Sequence, residues 1–342
     1  MRADDLRAAA LALGIGLIGA VLFWAIGFPS APLTGGATAV TLAGLMGLRV
    51  ALPVWLRTLA FVLLGINIGT GVTPDMLRTA AAWPVSLAIL SASLLLGMEI
   101  ARRGLQSWMG FDHASAVLAA APGHLSYVLS LSLERAGPVA QIAIVQSIRV
   151  LFLTLCVPLG VSLTFGASGV PILPETPMSL LSIAVLMVGT FGLGLVFQRL
   201  RLPAAFLLAG MGLSAAGHVA SLTPGRLPDP MAFAAFLIMG VLIGSRFSGQ
   251  RWADLRAALA AGVWVTGVNV VTTILAVLVA FAVLGLSPAL LIVAFAPGGV
   301  EAMAAIAVTL GLDPAYTAAH HVMRLMILTA LIPWLLRGSG RL

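Results

Sequence analysis

Leu118-Ala-Ala-Ala-Pro-Gly123 recurs 175 positions later as Val293-Ala-Phe-Ala-Pro-Gly298. The same shift, without a gap, also aligns less common residues, pairing Arg149 with Arg324 and Pro158 with Pro333. Chance does not readily give such matches in apolar sequence, because they include arginine, proline and glycine. Self-similarity at one fixed shift is the signature of a duplicated unit. The sequence therefore predicts two homologous halves, residues 1–170 and 171–342.

The composition predicts an integral membrane protein. Hydrophobic residues make up 61% of the chain and charged residues 8%, whereas soluble proteins are about 45–50% apolar. The chain has no lysine, and its arginines flank apolar runs, a distribution that indicates membrane topology and no nucleic-acid partner. Each half contains six apolar segments, near 8–28, 32–48, 54–72, 82–101, 112–134 and 139–165, and near 178–198, 203–221, 231–245, 257–285, 287–311 and 314–336.

The fifth segment of each half is interrupted at its centre, by Pro122-Gly123 in the first half and by Pro297-Gly298-Gly299 in the second. Proline inside a helix costs about 3 kcal/mol, so a broken helix is expected. Asp112 and Ser287 precede the segments and are expected to cap them. The pieces are half a membrane long, which leaves two alternatives: a discontinuous crossing helix or a re-entrant hairpin.

The distribution of arginines favours the hairpin. If all twelve segments cross, nine arginines lie on the cytoplasmic side and seven outside. If the fifth segments return, the division becomes fourteen against two, which are Arg78 and Arg226. Cytoplasmic loops collect arginine. We therefore predict ten crossings and two hairpins in the bacterial inner membrane, with both termini cytoplasmic and the halves inverted, as in many secondary transporters.

The two interruptions are the leading candidate site. In inverted halves they approach the midplane from opposite sides, where non-helical backbone is tolerated only against protein or a water-filled cavity. Their glycines allow close backbone approach, and the following helix N-termini attract anions. The alternative is that the Pro-Gly pairs merely kink two packed helices. The candidate substrate-binding residues here are Pro122, Gly123, Pro297, Gly298 and Gly299.

Arg149 and Arg324 each lie ten residues into the final segment of their half, which places them at mid-bilayer depth. A charge at this depth is costly and must face protein or water. Gln146 and His321 precede the arginines by three residues, on the same helix face. All four are candidate substrate-binding residues. The alternative is a structural ion pair that joins two helices.

Glu301 follows the second interruption and is a candidate for coupling to protons or cations, unless it forms an ion pair with Arg324 or Arg149. Its counterpart in the first half is Ser126. His124, beside the first interruption, titrates near neutral pH when unperturbed. We include His124 and Ser126 among the candidate substrate-binding residues.

Asn67 is a second candidate for ion coupling. It lies in Gly65-Ile-Asn-Ile-Gly-Thr-Gly71, a run of small residues that helix packing explains equally well.

Signals of enzymatic chemistry are missing from the sequence. It contains no His-x-x-x-His or Cys-x-x-Cys spacing for a metal, and a phosphate-binding loop of the Walker type requires lysine. We therefore predict that the chain is not an enzyme and needs no metal or cofactor. The expected partners are a small-molecule or ion substrate and the lipid bilayer. A second copy of the chain, in a homodimer, is a further candidate partner.

The Ala121-Pro-Gly123 and Gln146-Ser-Ile-Arg149 blocks, with Ala296-Pro-Gly-Gly-Val-Glu-Ala-Met303 and His321-Val-Met-Arg324, resemble the AbrB family of bacterial membrane proteins. The resemblance covers nearly the whole chain. More distantly, the family is similar to a superfamily of cation/proton antiporters and sodium/bile-acid symporters, which implies an elevator-type transporter. The chain departs from the family pattern at His124, where glycine is usual, and at Ser126, where an acidic residue is common.

Together these observations predict a secondary active transporter of a small anionic solute, coupled to protons or sodium. Alternating access would occur around the paired interruptions. The alternative is a membrane-embedded sensor or regulator that affects gene expression without transport.

Overall fold

The computed structural model describes residues 3–71, 83–123, 125–135, 137–166 and 176–337. These residues form fourteen helices and no strand beyond one isolated bridge between Pro177 and Arg226. The all-α prediction is confirmed. The helices are α1 (Ala3–Ala25), α2 (Ala31–Leu45), α3 (Val54–Thr70), α4 (Trp83–Met109), α5 (His113–Ala120), α6 (Leu125–Glu134), α7 (Val139–Phe165), α8 (Leu180–Arg199), α9 (Ala205–Val219), α10 (Asp229–Ser245), α11 (Trp252–Leu284), α12 (Pro288–Phe295), α13 (Val300–Thr309) and α14 (Pro314–Leu336).

Six of these helices are long and apolar enough to cross a bilayer: α1, α4, α7, α8, α11 and α14. Their outer faces carry exposed large hydrophobic side chains, such as Leu180 and Val188 on α8, which suits contact with lipid. The other four expected crossings are α2, α3, α9 and α10, which have only 15–17 residues. At 1.5 Å per residue they are about 22–26 Å long, shorter than the roughly 30 Å hydrocarbon layer.

The helices divide into two packing groups. The first group, which we call the scaffold group, consists of α1–α3 and α8–α10; the second, the break group, consists of α4–α7 and α11–α14. Each group contains helices from both sequence halves. Most helix contacts lie within a group, and the groups meet mainly where α2, α3 and α10 reach α7, α13 and α14. The packing units therefore differ from the two halves of the sequence.

Close contacts between glycines and backbone join the short helices. A Cβ at Gly65 of α3 would lie 2.4 Å from the Leu207 carbonyl oxygen of α9, and a Cβ at Gly240 of α10 would lie 2.3 Å from the Leu33 oxygen of α2. Gly65 and Gly240 are related by the shift of 175, and Leu33 and Leu207 by 174. The same contact is thus made twice: the glycine comes from the first half in one case and from the second half in the other. The same exchange relates the α7–α11 and α4–α14 contacts.

Local backbone conformation repeats as well. Ser30 before α2 and Ala204 before α9 are both in the left-handed region, with φ of 54° and 50°, which non-glycine residues rarely adopt. Gly110 and Gly285 share a positive φ before α5 and α12. Matching unusual conformations at matching positions indicate that the halves build their elements in the same way.

Both Pro-Gly segments are broken helices: α5 and α6 flank one break, and α12 and α13 flank the other. Asp112 caps α5 as predicted, since its Oδ1 accepts from the Ser115 backbone N–H at 3.0 Å. The equivalent prediction for Ser287 was wrong, because its side chain makes no capping bond. Pro288 occupies the first position of α12, so Ser287 precedes the helix without capping it.

The first broken segment turns back on itself. Gly137, three residues beyond α6, lies beside the start of α5: a Cβ on it would be 3.9 Å from Ser115 Oγ. Had α5 and α6 continued in one direction, Gly137 and the start of α5 would be separated by about 27 Å along the helix axis, at 1.5 Å per residue. The chain therefore returns to the level at which it entered.

Candidate functional site

Each break leaves backbone carbonyls without helical partners, because the last four carbonyls of a helix have no intrahelical N–H. Two side chains from the last helix of the same half bond to them. We call Gln146 and Arg149 the first clamp, and His321 and Arg324 the second clamp. All four side chains are buried.

The first clamp, on α7, holds the end of α5. Gln146 Nε2 donates to the carbonyl oxygens of Leu118 and Ala121 at 2.9 and 2.8 Å. Arg149 Nη1 donates to the Ala121 oxygen at 3.3 Å, and Arg149 Nη2 donates to Gln146 Oε1 at 2.5 Å. The side chains thereby replace the backbone bonds that the Pro-Gly pair removes.

The second clamp, on α14, repeats this arrangement at the end of α12. Arg324 Nη1 donates to the Ala296 oxygen at 2.7 Å, Arg324 Nη2 contacts His321 Nδ1 at 2.8 Å, and His321 Nε2 contacts the Val293 oxygen at 3.0 Å. Arg324 Nη2 also donates to the Gly298 oxygen. The shift of 175 therefore relates the clamps and also the carbonyls they hold.

The two breaks adjoin. Gly123 has φ of +107°, and a Cβ there would lie 3.1 Å from Arg324 Nη2 and 3.5 Å from the Gly298 oxygen. Both the backbone conformation and the close approach require glycine at this position. The first break therefore lies against the second break and its clamp.

The site carries two buried positive charges that form no ion pair with a described carboxylate. The ion pairs formed between described residues are Arg49–Asp5, Arg102–Glu99, Arg103–Glu99 and Arg226–Asp229, so neither Arg149 nor Arg324 has a carboxylate within 4 Å there. The structural ion pair considered above is thus not formed among these residues. The Nε atoms of both arginines are buried without a hydrogen-bond partner in the described part of the chain, and the two guanidinium groups repel each other. Such an arrangement attracts an anion.

Glu301 lies at the second position of α13, with its carboxylate about 3.5 Å from where a Cβ on Gly299 would be. It interacts electrostatically with Arg324 and with Arg246 at the end of α10, although no hydrogen bond or ion pair joins it to another described residue. Its side chain is partly exposed. The carboxylate is therefore accessible to a proton or cation.

Arg246 is a neighbour that the sequence did not reveal, because it counted only as a topology signal. Burial lowers its pKa from the usual arginine value; the Glu301 carboxylate opposes this change, and the Arg57 guanidinium adds to it. The contact of α10 with α13 brings Arg246 near Glu301. No spacing in the sequence predicts that contact, so the site is more basic than expected.

The other candidate residues are less directly placed. Asn67 is buried on α3, which packs against α9 and also contacts α13, the helix that carries Glu301. His124 lies outside the described residues, as does the side chain of Ser126. Pro122 and Pro297 lie within the breaks, between α5 and α6 and between α12 and α13.

His320 faces away from the breaks. Its Nε2 lies 2.7 Å from Ser86 Oγ of α4, and its Nδ1 lies 2.8 Å from the Tyr316 carbonyl oxygen. Its ring stacks on Phe295 at 5.7 Å. His320 therefore fixes α14 against α4 and α12, whereas its neighbour His321 points to the break.

A cavity of about 310 Å³ borders the second break between α7 and α11. Ala296 and Pro297 form one side of it, and Phe152, Cys156 and Val270 line the rest. The Ala296 carbonyl is the one that Arg324 holds. The cavity therefore borders a segment whose position the second clamp controls.

A family model and two relatives each match more than two thirds of the chain. The family model described as "Transition state regulatory protein AbrB" matches residues 32–339. The chain is 27% identical over 301 residues to "Uncharacterized protein YhjN" of Bacillus subtilis (strain 168), covering 82% of this chain and 77% of that protein. It is 26% identical over 243 residues to "Putative regulator AbrB" of Escherichia coli (strain K12), covering 69% of each.

Proposed function

The chain belongs to the AbrB family, and from that premise we propose that it is a secondary active transporter of a small anionic solute, coupled to protons or sodium. One observation carries the proposal. Two buried guanidinium groups, whose Nε atoms have no partner among the described residues, lie where two broken helices meet. A buried charge without a carboxylate partner is costly, and a bound anion would offset that cost.

The proposed architecture is a pair of inverted repeats, residues 1–170 and 171–342, each with five transmembrane helices and one re-entrant hairpin. The exchanged contacts of Gly65 and Gly240 support a two-fold relation between the halves. The return of the chain at Gly137 supports the hairpin. An odd number of crossings in each half then inverts the second half relative to the first.

In this proposal the break group moves against the scaffold group, as in an elevator-type transporter. The glycine contacts make the scaffold group rigid, whereas side-chain hydrogen bonds hold the breaks. Side-chain bonds rearrange without unwinding a helix. The protein would lie in the bacterial inner membrane with both termini cytoplasmic and assemble as a homodimer, and its function would involve no enzymatic step and no cofactor.

Glu301 would couple the solute to a cation, with Asn67 as a second candidate ligand. Adding a proton or sodium ion to the carboxylate removes the negative charge that Glu301 presents to Arg324 and Arg246, so the site would attract an anion more strongly. Glu301→Gln mimics the neutral state. In this variant we expect solute binding to persist, while gradient-driven uptake falls by roughly tenfold or more.

Transport is tested with purified protein in liposomes. Thermal-shift screening against small carboxylates, phosphate and alkali cations identifies a stabilising solute, and uptake of that solute is then measured with and without an imposed proton or sodium gradient. Gradient-dependent accumulation by the wild-type protein is the expected result. Binding of the solute without flux in either direction would contradict the transport proposal.

Cysteine labelling tests the topology. In a Cys156→Ser background, single cysteines at Arg135 and Arg246 are expected to react from the same, cytoplasmic, side with a membrane-impermeant maleimide. A cysteine at Arg226 is expected to react from the opposite side and serves as the control. Labelling of the Arg135 and Arg246 positions from opposite sides would contradict the hairpins and the inverted repeat.

The family description and the name of the Escherichia coli relative favour a second candidate function, a regulator. Such a protein would bind a ligand at the same site and signal through a cytoplasmic loop such as residues 246–256. A stable partner that binds this loop, together with solute binding but no flux, would favour the regulator.

A further inference from the structure

The two clamps make equivalent bonds with chemically different residues. Gln146 Nε2 and His321 Nε2 bond to the equivalent carbonyls of Leu118 and Val293. Gln146 Oε1 and His321 Nδ1 both face the Nη2 of the clamp arginine. Glutamine performs this role with an amide that cannot take up a proton in water, whereas histidine performs it with an imidazole that can.

The surroundings of His321 determine where its proton lies. Nε2 faces a carbonyl oxygen, which only accepts, so Nε2 must carry the hydrogen. Nδ1 faces a guanidinium N–H, which only donates, so Nδ1 must be the acceptor. This tautomer of neutral imidazole is the isostere of the Gln146 amide. A second proton on Nδ1 would place two donors and two positive charges against each other.

From this geometry we infer that His321 is a proton-binding site that releases the second break, so that a proton and an anion are taken up together. The inference rests on the proposed transport function. A proton from water binds Nδ1, and the Arg324 Nη2–H···Nδ1 bond breaks. Arg324 turns away, its bonds to the Ala296 and Gly298 oxygens loosen, and its guanidinium becomes available to an anion.

The groups around His321 are cationic or neutral, so a second proton there is costly and repels Arg324. On α14 the neighbouring groups are Arg324 and the imidazole of His320. Among the described residues, α12 contributes the Val293 carbonyl, and α4 contributes the Ser86 hydroxyl, which bonds to His320. Glu301 of α13 acts on Arg324, and Arg324 in turn acts on Arg149 of α7. An anion between the released Arg324 and protonated His321 would compensate the added charge.

The test compares hydrogen-deuterium exchange at the two breaks, measured by mass spectrometry on the full chain in nanodiscs at about pH 8 and about pH 5. The variants are His321→Gln, which copies the first clamp into the second, and Gln146→His, which does the reverse. Rates at residues 293–303 are expressed as the ratio of wild type to H321Q at the same pH, because this ratio cancels the intrinsic pH dependence of amide exchange.

We expect this ratio to rise by roughly tenfold from the higher to the lower pH, about 1.4 kcal/mol of opening free energy. In Q146H, exchange at residues 118–123 should acquire the same response relative to wild type. A flat ratio at both breaks would overturn the inference. If H321Q failed to fold, Q146H alone would decide. The exchange measurement needs no solute, so it tests the proton site independently of transport. A flat ratio with intact uptake would refute the proton site. A pH response without flux would refute transport.

Discussion

Arg324→Ala is expected to abolish gradient-driven uptake and to lower the melting temperature of the protein. The substitution leaves the Ala296 and Gly298 oxygens and His321 Nδ1 without their donor. An unsatisfied buried acceptor costs about 1–3 kcal/mol, so the loss is at least roughly 3 kcal/mol, or about 5 °C or more in melting temperature. Differential scanning fluorimetry and liposome uptake measure the two effects.

The matched variants separate charge from geometry. Arg324→Lys keeps the charge but offers one ammonium group in place of a planar fork that bonds three acceptors, so uptake should remain below one tenth of wild type. Arg103→Ala removes an arginine whose side chain is 74% exposed and should change stability by less than about 0.5 kcal/mol. Normal uptake by the Arg324→Ala variant would contradict the site.

Arg149→Ala should be the milder of the two clamp substitutions. Gln146 still donates to both the Leu118 and Ala121 oxygens when Arg149 is absent, whereas His321 reaches only Val293. We therefore expect the melting temperature to fall by about half as much as in the Arg324→Ala variant, while uptake is still lost because the anion loses one cation. An equal or larger loss of stability would show that Arg149 does more than hold the first break.

The repeat in the sequence predicted the breaks, the clamp arginines and the residues three positions before them, because register along a helix fixes which side chains share a face. It did not predict what the arginines bond. An ion pair and a set of carbonyl bonds both satisfy a buried guanidinium, and the choice depends on how α7 and α14 pack against the breaks. The proximity of Arg246 to Glu301 likewise depends on how helices pack, in this case α10 against α13.

Segment lengths show a similar limit. Hydropathy predicted α2, α3, α9 and α10 as ordinary crossings, and for α2, α3 and α9 the apolar runs continue past the ends of the helices. The structure makes these three helices shorter than the predicted segments, whereas α10 begins before its predicted segment 231–245; all four have 15–17 residues and pack together. The run of small residues from Gly65 to Gly71 indicated close helix packing, but the helix that it contacts could not be read from the sequence.

Gly65→Ala and Gly240→Ala are expected to destabilise the protein strongly and to similar extents. The added methyl group would lie 2.4 Å from the Leu207 oxygen in one variant and 2.3 Å from the Leu33 oxygen in the other. These are backbone atoms, so the helices must separate by roughly 1 Å rather than rotate a side chain away. Overpacking a core costs about 1–3 kcal/mol, and contact with backbone places both variants at the upper end.

Gly212→Ala is the matched control, because Gly212 lies on α9, the same helix that meets Gly65, and a Cβ on it has no heavy atom within 4 Å. Alanine exceeds glycine in helix propensity by about 1 kcal/mol, so this variant should be unchanged or slightly stabilised. Melting temperatures of the three variants in the same detergent provide the measurement. The exchanged contacts require Gly65→Ala and Gly240→Ala to fail alike. If one were tolerated as well as Gly212→Ala, the scaffold group would lack the two-fold relation on which the inverted arrangement rests.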